Sequence, residues 1–467
     1  MAAGIAARQA GATVVLIERG PLGGTCVNVG CVPSKNLLAA AGARHSALTN
    51  PFPGVSTSAD GVDMAALVTQ KDELIERLKQ HKYADVADAW GFPVLKGEAT
   101  FTDPTTLAVN GEPLRAGGYV IATGSQPAIT GIEGLEGIEY LTSTTAMELT
   151  EVPQSLVVIG GGYVGMEQAQ LFAHLGAQVT VVGRLAPQAE PELQAVLSAV
   201  FVDDGITVVP DRAARVEHTA EGLVAVTTTG GRQVTGQRVL VATGRRSDTT
   251  ALNLAAAGVE LDAHGFIAID AHQATTNPRV YAAGDVAGTP QYVYVAAASG
   301  RVAATNALSQ TAADSCADAC STPSNGSDKD TGAGAAPASV DYTGLPAVVF
   351  TRPQLASAGL TEAEALGQGY ACVCRTLSLE DVPRALVNHD TRGAVKVIAD
   401  ASTGRVLGVH AAADGAGEIM LAATYAIKAG MTVDDLADTW APYLTMAESL
   451  RIAAGLFRIE LPTSCCA

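Results

Sequence analysis

The feature that most constrains the fold is a Gly-rich turn between an apolar run and a predicted helix. Residues 156–159 are Leu-Val-Val-Ile, and Gly160, Gly162 and Gly165 follow in the spacing Gly-x-Gly-x-x-Gly. A second apolar run at 178–182 completes the strand–helix–strand order of a dinucleotide-binding unit. Glycines let the backbone approach a pyrophosphate, whose charge the helix N-terminus stabilises. The pattern predicts an α/β chain with a parallel sheet.

The residues that follow the second strand indicate which of the two nicotinamide cofactors binds. A site for NAD places an acid there, whereas this chain has Gly183 and Arg184. An arginine suits the additional 2′-phosphate of NADP, so the sequence favours NADPH. A solvent-exposed arginine in an NAD-type site is the alternative.

The chain opens on what looks like the second half of a similar unit. Residues 1–9 predict a helix and residues 13–17 a strand, which ends at the acid Glu18. The first strand and its Gly loop are expected upstream, so the chain is expected to be truncated at its N-terminus; an unrelated helix–strand start is the alternative. Two Ala-Thr-Gly segments, at 122–124 and 242–244, suggest two related nucleotide-binding folds.

Composition narrows the class of protein. A chain of 467 residues is too long for one core, so several domains are expected. The net charge of −18 argues against binding to nucleic acid or to an anionic membrane surface. We find no apolar run of about 18 residues and no signal-peptide pattern, which favours a cytoplasmic location.

Close cysteine pairs in such a chain suggest redox or soft-metal chemistry. The eight cysteines form the pairs Cys26/Cys31, Cys316/Cys320, Cys372/Cys374 and Cys465/Cys466. The second pair falls in a Ser- and Gly-rich stretch that predicts a flexible linker, where incidental thiols are favoured over metal ligands. The third pair alternates along a predicted strand and is expected to be buried or half-buried.

The first pair lies in the stretch GGTCVNVGCVPSK, residues 23–35. A helix N-terminus lowers the pKa of a thiol, so Cys26 and Cys31 are candidates for thiolates. A thiolate can donate electrons, attack a disulfide or bind a soft metal. For the spacing C-x4-C alone, two ordinary buried cysteines are the alternative.

This stretch resembles the redox-active disulfide motif of the flavin disulfide reductases, the pyridine nucleotide–disulfide oxidoreductase family. The Gly-rich turn, both Ala-Thr-Gly segments and Ala-Gly-Asp at 283–285 occur in the family's order. The resemblance implies an α/β fold with two Rossmann-like domains for FAD and NADPH, and a C-terminal α+β domain that forms a homodimer. The implied bounds are 1–150 for the FAD domain, 151–270 for the NADPH domain, 271–308 for the return to the FAD domain, 309–340 for a flexible insert and 341–467 for the dimerisation domain.

The same resemblance implies roles for single residues. Cys31 would face the flavin, and Cys26 would be the more accessible thiol. Lys35 and Glu167 would pair near the flavin N5. The implied cofactor-binding residues are Glu18 at the FAD ribose, Asp285 near the ribityl and phosphate part, and also Gly24, Thr25, Lys35, Thr123, Gly124, Gly160, Gly162, Gly165, Arg184 and Gly244.

Three features favour the mercuric reductases within this family. Tyr443 stands where the disulfide reductases carry a C-terminal histidine, and a phenol with a pKa of about 10 is a poor acid near neutral pH. Cys465 and Cys466 are vicinal thiols suited to capturing a soft cation; lipidation is the alternative. Tyr83 and Tyr443 resemble two tyrosines of the mercuric reductase metal site, although an exposed tyrosine and an interface residue are the alternatives.

The sequence therefore predicts an NADPH-dependent flavoprotein that reduces Hg(II), delivered as complexes with small thiols, to Hg(0). The predicted metal ligands are Cys26, Cys31, Cys465 and Cys466, and the resemblance implies that the last two are supplied by the partner subunit. One alternative is a reductase of small disulfides, which would need His389 or His410 as its acid. Another is an inactive, thiol-rich metal-binding protein, if FAD cannot bind.

Overall fold

The structure is a computed structural model that describes residues 1–129, 131–319 and 336–458. Cys320, Cys465 and Cys466 lie outside the described residues, as does the side chain of Cys316. The chain divides into two compact units. The first comprises Met1–Pro33, Gln70–Ala128 and Arg245–Asp341; the second comprises Ser34–Thr69, Ile129–Gly244 and the residues from Tyr342 onward.

A parallel sheet in the second unit carries the Gly-rich turn. In order across the sheet, its described strands are Thr207–Val209, Gln178–Val182, Ser155–Ile159 and Arg238–Val241. Val157 and Val158 are both fully buried, although they point to opposite faces, as expected of a parallel strand covered on both sides. The predicted nucleotide-binding fold is therefore confirmed for this region.

Helices and a small antiparallel sheet complete this part of the second unit. The helices are Ser143–Ala146, Tyr163–Leu175 and Pro191–Asp203, and the antiparallel strands are Ala213–His218, Val224–Thr228 and Gln233–Gly236. The helix Tyr163–Leu175 buries Met166, Leu171 and Phe172 in a shared apolar core. It ends at Gly176, whose φ of 112° closes the helix in the left-handed conformation.

The first unit contains short parallel and antiparallel strands. Leu16–Glu18 pairs with Val94–Lys96, and Tyr119–Ile121 pairs with Val280–Ala282, both in parallel. The other strands are Ala99–Asp103, Thr106–Val109, Glu112–Arg115, Gln126–Pro127 and Arg245–Arg246, all in antiparallel ladders. The strand predicted at 13–17 is shorter and later than expected, because its ladder with the three-residue partner begins only at Leu16.

Several helices lie in the first unit or have one end in it. They are Ala2–Gln9, Gly24–Asn28, Cys31–Leu48, Met64–Lys79, Asp85–Ala89, Leu254–Ala257 and Val293–Ala319. A π-helical turn, Gln80–Ala84, joins the helices Met64–Lys79 and Asp85–Ala89 and contains Tyr83. Val293–Ala319 extends into the stretch 309–340 that was predicted to be a flexible linker, so that prediction is wrong for residues 309–319. Within the described parts of the chain, none of the helices combines the length and hydrophobicity that a membrane span requires.

An antiparallel sheet forms the C-terminal part of the second unit. Its strands in spatial order are Pro346–Val349, Gln354–Gly359, Val406–Ala413, Ala394–Asp400 and Cys372–Ser378. The accompanying helices are Glu362–Gly367, Pro383–Asn388, Ala416–Ala429, Val433–Asp438 and Glu448–Gly455. Ile419 and Met420 are buried in the core of this sheet and its helices. The predicted α+β character is confirmed, and Cys372 and Cys374 are half-buried as expected.

A stacked pair of histidines, the half-buried His45 and the buried His174, connects two helices of the second unit with the end of a third. The rings of His45 and His174 stack with centroids 3.8 Å apart. Their Nε2 atoms lie 3.7 Å and 3.1 Å from the two carboxylate oxygens of Asp204. Burial, followed by the effect of the neighbouring His174, lowers the pKa of His45 to about 4. The folded protein therefore favours neutral His45.

The free energy of unfolding is expected to fall as the pH drops from about 6.5 to 4, because His45 then binds a proton in the unfolded chain but not in the folded one. In the variant His45→Gln, this decrease should be smaller by on the order of 2 kcal/mol. Urea unfolding at pH 7 and pH 5 measures the difference. An equal loss in the variant and in the parent protein would contradict the assignment.

Candidate active site

The cysteine pair of the first unit lies in a compact loop. Gly23, with φ of 107°, precedes the short helix Gly24–Asn28 that contains Cys26. The Asn28 side chain donates hydrogen bonds to the carbonyl oxygens of Leu22 (3.1 Å) and Gly24 (2.9 Å). These two hydrogen bonds fix the loop against the short helix that contains Cys26.

The chain then turns at Gly30 and starts the helix Cys31–Leu48. A Cβ at Gly30 would lie 3.0 Å from the carbonyl oxygen of Thr25, a tight contact that favours glycine at this turn. Cys31 is exposed, whereas Cys26 is half-buried. The position of Cys31 against the flavin, which would cover its thiol and leave Cys26 the more accessible of the two, remains a prediction.

Three polar groups lie within electrostatic reach of Cys31. Burial raises the pKa of Tyr83, and the neighbouring Cys26 and Cys31 raise it further. Burial likewise raises the pKa of Tyr294. Burial lowers the pKa of Arg245, whereas Asp285 and Cys31 raise it. Two protonated phenols and a positive guanidinium therefore interact with Cys31 near neutral pH, and a positive charge close to a sulfur is a general means of stabilising a thiolate.

Asp285 is fixed by long-range contacts. Its Oδ2 accepts a hydrogen bond of 2.6 Å from the Ser125 hydroxyl. Arg245 donates to the same hydroxyl from Nε at 2.8 Å and to the Ser125 carbonyl oxygen at 2.7 Å. The Nε of Arg245 also lies 3.9 Å from Asp285 Oδ2. Sequence reasoning missed Ser125 and Arg245, although both follow the Ala-Thr-Gly segments that it had identified.

The first unit has open positions suited to a flavin nucleotide. Gly24 and Gly124 have φ of 65° and 71°, and a Cβ on either would meet no atom within 4 Å. Thr123, beside Gly124, is exposed. These features fit FAD, and Thr25 lies in the same loop as Gly24.

Glu18 ends the strand Leu16–Glu18, as predicted, and its Oε1 accepts a hydrogen bond of 2.8 Å from the Gly20 N–H. The turn after the strand is thereby held by the carboxylate. The position at the end of a parallel strand agrees with the predicted contact to a ribose.

The Gly-rich turn of the second unit is shaped for a dinucleotide. A Cβ on Gly165 would lie 1.9 Å from the Gly160 carbonyl oxygen, so this contact between helix and strand requires glycine. Gly162 precedes the helix Tyr163–Leu175, and a Cβ there would meet no atom within 4 Å. The open space at a helix N-terminus fits a pyrophosphate. Arg184 is exposed at the end of the next strand, and Gly244, with φ of 130°, follows the last.

The variant Gly162→Ala is expected to fold normally, because φ of −74° suits alanine and the added methyl group meets no protein atom. The methyl group would occupy the space for the pyrophosphate, so KM for NADPH should rise about tenfold. Steady-state kinetics and thermal unfolding test both statements. Gly165→Ala is the contrasting variant, and it should lower Tm. An unchanged KM in Gly162→Ala would contradict this assignment.

Lys35 and Glu167 form an ion pair in the second unit, as predicted. The Nζ of Lys35 lies 2.7 Å from Glu167 Oε2, and the side chain of Glu167 is only 10% exposed. Glu167 Oε1 accepts a second hydrogen bond, of 2.9 Å, from the Phe350 N–H. Lys35 Nζ also lies 4.7 Å above the centre of the Phe350 ring. The lysine is one turn beyond Cys31 in the same helix.

The remaining predicted groups lie in the second unit. Tyr443 is exposed on the segment before the helix Glu448–Gly455. His410 is buried, and its Nε2 lies 2.8 Å from the Leu360 carbonyl oxygen. Burial lowers the pKa of His410. His389 makes an edge contact with Phe52. His410 is thus held in a core, which makes it a poor general acid for a soluble disulfide.

Comparisons with known proteins agree with this arrangement. The profile of the family described as pyridine nucleotide-disulphide oxidoreductase matches residues 1–300, and that of its dimerisation domain matches residues 345–454. A mercuric reductase of Streptomyces lividans is 48% identical over 100% of this chain and 96% of the relative. A mercuric reductase of Lysinibacillus sphaericus is 44% identical over 99% of this chain and 82% of the relative.

Solved structures also match nearly the whole chain, at lower sequence identity. The HOCl-induced flavoprotein disulfide reductase RclA of Escherichia coli, as its Cu(II) complex, is 26% identical, with a TM-score of 0.82 over 98% of this chain and 97% of that chain. LpdA of Mycobacterium tuberculosis is 27% identical, with a TM-score of 0.81 and the same coverage of both chains.

Proposed function

The chain belongs to the pyridine nucleotide-disulphide oxidoreductase family, and we propose that it is a mercuric reductase, which reduces Hg(II) to Hg(0) with NADPH. The observation that carries this proposal is the similarity to mercuric reductases, at 38–48% identity over the whole of this chain. The tyrosine at position 443, where disulfide reductases of the family carry histidine, supports the same substrate.

The cofactors are FAD and NADPH. FAD would be held by Glu18, Gly24, Thr25, Thr123, Gly124 and Asp285, and would supply the route by which an electron pair from NADPH reaches the thiol pair and the metal. NADPH would be held by Gly160, Gly162, Gly165, Arg184 and Gly244. The domain bounds 1–150, 151–270, 271–308, 309–340 and 341–467 remain part of this proposal.

Cys26 and Cys31 would bind the metal as two thiolates. Hg(II) arrives with two small thiolates as ligands, and each cysteine sulfur displaces one of them. The positive charge of Arg245 stabilises the thiolate of Cys31 during this exchange. Each released small thiolate takes up a proton from water. The net result is a mercury ion held by the protein instead of by the small thiols.

Tyr83 and Tyr443 would assist the exchange as hydrogen-bond donors. The raised pKa of Tyr83, caused first by burial, keeps its phenol protonated near neutral pH. A protonated phenol can donate a hydrogen bond to the sulfur of a departing small thiolate. The cysteine thiolates that bind the metal keep their charge. The Tyr443 that serves a given site would come from the partner subunit, because the C-terminal part of the chain belongs to the dimerisation domain.

The reaction oxidises one NADPH for each Hg(II) ion that it reduces. The hydride of NADPH carries two electrons, which end on mercury as Hg(II) becomes Hg(0). Its proton passes to the solvent, and the two cysteine sulfurs return to the thiolate state when the neutral atom leaves. Lys35 and Glu167 would fix charge beside the hydride-accepting position. We also propose a cytoplasmic location, where NADPH and reduced small thiols are both abundant.

Cys465 and Cys466 would capture mercury and pass it to Cys26 and Cys31 of the partner subunit. The double variant Cys465→Ala/Cys466→Ala is therefore expected to lose about tenfold in kcat/KM for Hg(II) when a small thiol is in excess. The loss should shrink when the small thiol is scarce. Equal activities of variant and parent at all thiol concentrations would contradict this role.

A comparison of substrates tests the proposed function as a whole. Purified protein loaded with FAD should oxidise NADPH rapidly with Hg(II) in the presence of excess small thiol. Oxidised glutathione and oxidised lipoamide should give rates lower by about 10²-fold, because the site has a phenol in place of the acid that a departing thiol needs. A faster rate with either disulfide would favour a disulfide reductase instead.

A further inference from the structure

A second pair of thiols lies outside the proposed active site, on the edge strand Cys372–Ser378. Cys372 and Cys374 are separated by one residue, so their side chains leave the strand on the same face. The carboxylate of Glu362 faces both of them. One sulfur from each cysteine and one oxygen of Glu362 lie within 4.8 Å of one another. Three side chains with metal-binding atoms thus converge on one place.

The spacing suits a single ion between the two sulfurs. Metal–thiolate bonds of about 2.3 Å allow two sulfurs on one ion to be up to about 4.6 Å apart. Small rotations of the cysteine side chains would therefore bring the observed group into a binding geometry. No movement of the strand is needed, and Cys372 and Cys374 are paired in register with Asp400 and Ile398 of the neighbouring strand.

The charge around this group favours a cation. The ammonium of Lys396 lies 2.8 Å from Glu190, 2.9 Å from Glu192 and 2.7 Å from Glu362. Three carboxylates around one ammonium leave an excess of negative charge beside the thiols. By contrast, another candidate group among the described residues, His45 and His174 with Asp204, lies near the positive charges of Arg352 and Arg392.

The carboxylate of Glu362 faces both sulfurs of the pair. A thiophilic cation that binds here would displace the thiol protons to solvent, and the adjacent carboxylate would stabilise its positive charge.

We propose that Cys372, Cys374 and Glu362 form an accessory site for a thiophilic divalent cation, with two sulfur ligands and one oxygen ligand. Soft thiolates select ions such as Zn²⁺, Cd²⁺ and Hg²⁺ over Mg²⁺ and Ca²⁺. The site shares no residue with the proposed catalytic group, and the inference does not depend on the proposed function.

Cd²⁺ binding to the full-length protein tests the site. In equilibrium dialysis, the variant Cys372→Ser/Cys374→Ser should bind one Cd²⁺ ion fewer per chain than the parent, and the ultraviolet band of cadmium–thiolate bonds should weaken. Thr376→Ala is the matched control, because Thr376 is an exposed residue on the same face of the strand, and it should bind as the parent does. An unchanged number of bound ions in the cysteine variant would overturn the proposal.

Glu362→Gln provides a second, independent variant, in which both thiols remain. Its dissociation constant for Cd²⁺ at this site should rise about tenfold, because a neutral amide replaces the carboxylate ligand. Unchanged affinity would overturn the role of Glu362. Mercury-dependent oxidation of NADPH should be retained in both variants. If instead the parent protein lacks that activity while the cadmium result holds, the proposed function fails and the accessory site stands.

Discussion

Replacement of Cys31 with alanine is expected to lower the mercury-dependent oxidation of NADPH by on the order of 10³-fold. Cys31 begins the helix Cys31–Leu48 and lies within electrostatic reach of Arg245, Tyr83 and Tyr294. Loss of its sulfur leaves Cys26 as a single ligand, which cannot take both small thiolates off the metal. The variant Cys26→Ala should show a loss of similar size for the same reason.

Measurements of bound flavin and of flavin reduction by NADPH distinguish the loss of a metal ligand from misfolding. Both variants should retain bound FAD, and NADPH should still bleach the flavin absorbance in a stopped-flow experiment. Cys372→Ser is the matched control, because its thiol lies on the edge strand of the antiparallel sheet, and it should keep full activity. Turnover within about threefold of the parent rate in Cys31→Ala would show that this cysteine is not a ligand in the reaction.

The variant Lys35→Met is expected to lower the free energy of unfolding by about 2–3 kcal/mol. It leaves the Glu167 carboxylate, which is 10% exposed, without its partner ammonium at 2.7 Å. The remaining hydrogen bond from the Phe350 N–H does not neutralise that charge. Since Lys35 is itself 32% exposed, the loss should fall below that of a fully buried pair.

The same variant should slow flavin reduction by NADPH by about 10²-fold if Lys35 fixes charge beside the flavin. The double variant Lys35→Met/Glu167→Gln should recover much of the stability but not the rate. Arg238→Met is the control for a surface pair: Arg238 and Glu139 are 3.1 Å apart but largely exposed, so less than about 1 kcal/mol should be lost. Normal flavin reduction in Lys35→Met would contradict the proposed position of the lysine.

The parts of the fold that could be predicted from sequence are those whose burial shows as continuous apolar runs. Residues 178–182 were predicted as a strand and form one with the same bounds, because both faces of a parallel sheet are covered. The strand at 13–17 could not be placed as well, because its length depends on a partner about 80 residues away. The stretch 309–319 looked like a linker by composition, yet its alanines are strong helix formers and the helix continues through it.

In the candidate site, too, some residues could be predicted from the sequence and others could not. Cys26, Cys31, Lys35 and Glu167 could be identified because they lie in dense local motifs. Arg245 and Ser125 could not, since the hydrogen bonds that bring them to Asp285 join residues 120 and 160 positions apart. The carboxylates around Lys396 come from two segments, at 190–192 and at 362, which are both far from the lysine in sequence, and no local pattern marks them. The role of Cys465 and Cys466 remains a prediction from the sequence.

The stoichiometry of product formation tests the central claim most directly. Purified, FAD-loaded protein is mixed with NADPH, Hg(II) and excess small thiol, and the volatile mercury swept out by gas is measured against the NADPH consumed. The account predicts one Hg(0) atom for each NADPH oxidised, and none from the Cys26→Ala/Cys31→Ala variant. Oxidation of NADPH without release of Hg(0), or equal release by the variant, would contradict it.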